Sequence, residues 1–167
     1  MSRSGYTDDI DDNWALIKWR GQVASAIRGK RGQAFLREMI DALDALPEKR
    51  LISYDLEAGG SVCAIGSVGL KRGVDMAKLD PEDPQGIAHA FGIAHQLVSE
   101  IEFMNDEAVY YGETPEHRWG RMRRWAISNL ASGILTEGGD VKQAPGESLS
   151  SPVPNGETPI TSENQDG

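Results

Sequence analysis

The sequence predicts a mainly α fold: a compact bundle of about five or six helices, an optional small β-hairpin and a disordered C-terminal tail. Three observations carry this expectation. Apolar residues recur at three- and four-residue spacing in successive stretches, the periodicity of one helix face. Asp80-Pro81-Glu82-Asp83-Pro84 and Thr114-Pro115-Glu116 are helix-entry punctuation, with proline at the first helical position. From Thr136 onward the composition turns to Gly, Pro, Ser, Thr, Glu and Asn. A stretch of that kind cannot bury enough apolar surface to offset its conformational entropy.

Taken in order, residues 1–12 read as a flexible lead ending in a helix start, where Asp11, Asp12 and Asn13 can cap exposed N–H groups. Leu16, Trp19, Val23 and Ile27 then form one face of an amphipathic helix, which Gly29 and Gly32 interrupt around Lys30-Arg31. Phe35, Leu36, Met39, Ile40, Leu43 and Leu46 make a continuous apolar stripe that Pro47 ends. The two helices suggest an antiparallel hairpin. Between 51 and 70 two readings stand side by side. Leu51–Glu57 and Val62–Ile65 alternate like strands around the turn Ala58-Gly59-Gly60-Ser61, whereas Val62–Leu70 also fits a short helix. A loop follows Gly73 through Asp75 and Lys78. Further helices are expected at about 83–91 and 94–105, and a last one from Thr114 to about Ser132. The domain proper is thus 13–133, with 134–167 as an acidic tail.

Charge is distributed unevenly. The net charge of the 167 residues is −9. Residues 136–167 hold six acids against Lys142 alone, so −5 of it belongs to the tail. Such acidity disfavours coating nucleic acid or an anionic membrane, but the domain itself is close to balanced. Cys63 is the only cysteine, which excludes an intramolecular disulfide or a multi-cysteine metal site and fits a reducing compartment. No apolar leader or membrane-length apolar window is present, so the expected location is the cytoplasm and no membrane partner is expected.

Two local patterns nominate surfaces. Ile87–Ile101 has the layout of a helix-turn-helix: Ala88 where helices cross, Gly92 in the turn, and Ile93, Val98 and Ile101 as anchors. Its outward residues would be His95, Gln96 and Ser99, types that can read base edges, beside Glu100 and Glu102, which would repel phosphates; the same spacing also fits a purely structural helix pair. The second pattern is a pair of basic clusters, Arg28-Gly29-Lys30-Arg31 and the three-residue series Arg118, Arg121 and Arg124 near Trp125. These six cations form a candidate interaction surface for an acidic partner or for bases; the other reading makes them solvated helix faces, with Trp119 and Trp125 packed inward and the arginines paired to Glu113 or Glu116.

Catalytic, cofactor and metal sites are not expected. His89, His95 and His117 are the only histidines and show no His-Glu-x-x-His spacing. The glycines from Gly59 to Gly73 match neither the Walker nor the dinucleotide pattern. Cys63 sits in the apolar setting of an inert thiol. Asp9, Asp11 and Asn13 alternate like calcium ligands, but Trp14 and Arg20 stand where an EF-hand needs glycine and a bidentate acid, so capping is the better reading.

Several longer stretches carry a family resemblance over residues 1–130. They are Ser2-Arg3-Ser4-Gly5-Tyr6, Gly29–Glu38, Ala42–Pro47, Leu79–Pro84, Ala90–Ala94 and Thr114–Trp119. In these the chain resembles a group of small proteins encoded by bacteriophages and prophages of proteobacteria, with which no established activity is associated. The resemblance implies a phage-borne accessory protein in a bacterial host cell. The expected function is therefore non-enzymatic binding of a host or phage macromolecule, most simply a protein. A helix-turn-helix DNA-binding regulator is the alternative.

Overall fold

A computed structural model describes residues 12–109 and 112–131. Asp12 opens the first helix: its Oδ1 accepts the Trp14 N–H at 2.9 Å, capping α1 (Asn13–Arg28). Val23 on its inner face is buried, with Leu16, Trp19 and Ile27 half-buried, as the periodicity predicts. Gly29 ends α1 and also begins α2 (Lys30–Ala45), so the joint is a single residue. Gly32, expected to break the helix, lies inside α2 instead. A Cβ there would fall 2.0 Å from the Ala26 carbonyl oxygen, so its bare backbone lets the two helix ends meet. The α2 stripe is the centre of the core, with Phe35, Leu36, Met39 and Leu43 buried; Ile40 is half-buried.

The 51–70 segment divides between both readings. β1 (Glu57–Ala58) pairs antiparallel with β2 (Ser61–Val62), Glu57 opposite Val62, across Gly59 and Gly60. α3 (Ala64–Arg72) then starts at once, capped by Cys63, whose Sγ accepts the Gly66 N–H at 3.3 Å. The strands are two residues long, and Ala64–Val68, which continue as helix, are buried in the core. The loop after Gly73 contains a 3-10 turn, Met76–Lys78, that the pattern did not predict.

Asp83 caps α4 (Pro84–Phe91) through the N–H groups of Gln85 and Gly86. Gly92, at φ 70°, turns the chain into α5 (His95–Asp106). Thr114 Oγ1 accepts the His117 N–H and starts α6 (Pro115–Ser128), which ends before the expected Ser132. α2 packs against α3 and α6, while α5 packs against α1, α3 and α4. The six α-helices and small antiparallel hairpin among the described residues match the predicted class. Expectations for residues 1–11 and 134–167 lie outside the described residues, and no helix among those described is long and apolar enough to cross a membrane.

Buried Gln33 closes the bundle. Its Nε2 donates to the Ile27 and Asn129 carbonyls, both at 2.9 Å, and its Oε1 accepts the Ala131 N–H at 2.8 Å. Gln33→Leu keeps the bulk but strands two carbonyls and an N–H. We expect a loss of about 2 kcal/mol, read as a lower urea midpoint at unchanged slope. An unchanged midpoint would show that the clamp adds nothing.

Candidate interaction surface

The two basic clusters have different fates. Arg118 and Arg121 turn inward. Arg118 Nε donates to the Asn105 carbonyl and its Nη1 to the Leu51 carbonyl, each at 3.0 Å. Arg121 grips Glu113 through Nε and Nη2, both at 2.7 Å, and donates from Nη1 to the Met104 carbonyl. The side chains of Glu113, Arg118 and Arg121 are only 10%, 13% and 18% exposed. The hydrogen bond from Arg121 holds the Glu113 carboxyl below its usual range, against the opposing effect of burial, and the charges of Arg121, Arg118 and His117 add to it. These two arginines therefore join α6 to the end of α5 and to the segment before β1, and they are withdrawn from the candidate surface. Arg124 remains exposed, while its neighbour Arg123 is paired with Asp44 of α2.

The expected base-reading residues do not form a free face either. Ser99 is 3% exposed, inside the core, and Glu102 is fully buried rather than outward. His95 and Gln96 are half-buried beneath α1: the Trp19 ring stands 6.0 Å from that of His95, and Gln96 Nε2 reaches Gln22 Oε1 at 3.5 Å. The tight turn at Gly92 is present, with the Ile93 N–H donating to the Ala88 carbonyl at 3.1 Å. The face of α5 that would enter a groove is occupied by α1, because the apolar side of α1 needs somewhere to pack.

What the fold leaves outward is the first cluster, and more than the cluster. From Asn13 to Arg37 there are six basic residues, Lys18, Arg20, Arg28, Lys30, Arg31 and Arg37, and no acidic one. All six are exposed, and none forms an ion pair with another described residue. The remaining described residues carry an excess of acid, so charge is segregated onto α1 and the start of α2. Comparison of the chain with protein-family models, with curated proteins and with solved structures returns no match. The surface has to be read from its own chemistry.

Two concavities border this region. One, of about 440 Å³, lies at the joint between α1 and α2 and is lined by Gln22, Ser25, Lys30, Arg31, Ala94 and Gln96. The other, of about 380 Å³, runs beside α1, with Arg20 and Arg28 framing Ala24, Ile27 and Phe103 and with Glu100 on its wall. Next to them Trp14 and Ile17 are 62% and 59% exposed, and Lys18 Nζ sits 5.9 Å from the centre of the Trp14 ring. Lys18, Arg20 and Arg37 lie outside the sequence clusters of cations. The absence of acid over this whole stretch was the signal that would have found them. Among the described residues no group of three or more His, Cys, Asp or Glu is placed to hold a metal ion, and Cys63 is buried.

Proposed function

We propose that this chain is a non-enzymatic, phage-borne accessory protein that binds a macromolecule of the host or the phage through the cationic surface of α1 and the first turns of α2. The observation that carries the reading is the acid-free stretch Asn13–Arg37, whose six cations are exposed. Elsewhere among the described residues, Arg124 apart, arginines are paired: Arg50 with Glu48, Arg72 with Glu38 and the Phe91 carbonyl, Arg123 with Asp44, and Arg118 and Arg121 with Glu113 and backbone carbonyls. Cations left outward on one region, while others pair, are the electrostatic footprint of an acidic partner. The polar groups gathered inside, Gln33, Asn105 and Glu113, are engaged with backbone or with arginine, which supports a structural use for them.

Charge reversal tests the reading. Arg28→Glu, Lys30→Glu and Arg31→Glu together are expected to leave folding nearly unchanged. The unfavourable acid at the end of α1 is offset by favourable acids at the start of α2. Wild-type chain incubated with lysate of a proteobacterial host should retain reproducible partners, and the triple variant should lose them at least tenfold by quantitative mass spectrometry. Lys78→Glu, also exposed, serves as the control. Equal recovery by wild type and triple variant, or no partner for either, would refute the proposal.

A further inference from the structure

We propose that the outward stripe of α1 is a docking helix that inserts into an apolar groove with an acidic rim on a protein partner. This rests on the functional reading above and names the partner's chemistry. With α1 turning 100° per residue, Leu16, Trp19, Val23 and Ile27 face the core, and Trp14, Ile17, Lys18, Gly21, Ser25 and Arg28 share the opposite side. The stripe spans roughly 21 Å from Trp14 to Arg28 at 1.5 Å per residue. Its first end presents two large apolar side chains at the i, i+3 spacing with which helices anchor in grooves. Tryptophan and arginine are also the residue types that dominate binding energy at protein interfaces.

The middle of the stripe supplies a second, independent observation. Gly21 lies inside α1, where glycine is less favourable than alanine, yet a Cβ added there meets nothing within 4 Å. Packing among the described residues therefore gives no reason for glycine. A partner surface pressed against the stripe between Ile17 and Ser25 does give one, because a bare Cα lets the partner approach closely. Charge complementarity fixes the rim: Lys18 and Arg28 stand within the stripe beside its apolar residues, and α1 carries no acid. Nucleic acid fits less well, since Ile17 offers nothing to a base or phosphate and one exposed ring is a poor stacking platform.

The test places a photoreactive phenylalanine analogue at position 17 of the full chain, with position 37 as control, in a proteobacterial host cell. Adducts are then typed by nuclease and by mass. The expected result is a protein adduct at 17 and not at 37, mapping to an acidic-rimmed groove of another protein. The protein so identified is then purified and titrated against variants. Trp14→Ala should weaken its binding about thirtyfold. Gly21→Ala should weaken it about tenfold while raising the Tm of the free chain by roughly 3 °C, so that a more stable domain binds less well. A nuclease-sensitive adduct, an adduct within the same chain or to a second copy, or no adduct at 17 overturns the proposal. Titrations unmoved by Trp14→Ala and Gly21→Ala overturn it too. Where the charge-reversed triple variant still loses its partners in those cases, only the docking stripe has failed. Where it does not, the functional reading has failed with it.

Discussion

Replacing Gly66 by alanine is expected to destabilise the domain by about 3 kcal/mol, the upper part of the range for overfilling a packed interior. Gly66 lies in the first turn of α3, and a Cβ there would sit 1.9 Å from the Leu56 carbonyl oxygen and 3.1 Å from Cβ of Val62. Neither neighbour can yield cheaply. The Leu56 carbonyl accepts the Cys63 N–H at 3.2 Å, and Val62 is paired in the hairpin, so making room means moving backbone. The displaced helix carries Ile65 and Val68, both fully buried against the core. Helix propensity alone favours alanine over glycine by about 1 kcal/mol, so a loss can come only from the close approach. Urea unfolding of Gly66→Ala beside Gly21→Ala gives a comparison of opposite signs at two helical glycines. A Gly66→Ala midpoint at or above wild type would contradict the packing described for α3.

Glu113→Gln should cost about 3 kcal/mol at neutral pH, the lower end for breaking a buried ion pair. The substitution keeps the shape and removes the charge, leaving Arg118 and Arg121 largely buried without their shared carboxylate. The pH dependence follows from the direction of the shift. Glu113 has a folded-state pKa held below its unfolded value, first by the hydrogen bond from Arg121. Its contribution is complete above the unfolded pKa, about 4.3 for a glutamate, and is lost as the pH falls through the folded value. The stability gap between wild type and Glu113→Gln should therefore be constant from pH 6 to 8 and close below about pH 4. Glu38 and Asp44 are also held low by arginine partners, so both proteins lose stability in acid while the difference between them isolates Glu113. A gap independent of pH would mean that the loss does not come from the carboxylate charge, and no gap at any pH would mean that Glu113 acts through shape alone.

The elements legible in the sequence were those set by local chemistry. Asp12, Asp83 and Thr114 accept N–H groups of the turns that follow them, within three residues along the chain. The α2 stripe needed only the helical period. What the chain did not disclose were choices made by distant partners. Whether Val62–Leu70 became strand or helix depended on which form filled the space beside α2. Arg118, Arg121 and Arg124 looked equivalent at three-residue spacing, but each step of three rotates the side chain by about 60° around the axis. The series therefore winds from the Glu113 side to solvent, and only its last member stays outside. A helix-turn-helix layout predicts Ser99 and Glu102 outward, whereas both are buried and α1 packs against α5. On α1 the local signal is narrower than the surface: Arg28–Arg31 form one cluster within a surface defined by an absence of acid from Asn13 to Arg37.

The Gln33 clamp has a consequence for how the chain acquires its structure. It joins position 33 to position 131, a separation of 98 residues, and so draws the start of α2 to the chain beyond α6. Closing so long a loop is entropically costly and comes late. During synthesis α2 emerges early, yet the backbone groups that satisfy its glutamine emerge nearly a hundred residues later. Until then, the carbonyl at the end of α1 is its sole partner in the clamp. The joint between α1 and α2 is thus secured only when the last helix has been made, so the order of translation itself delays completion of the bundle.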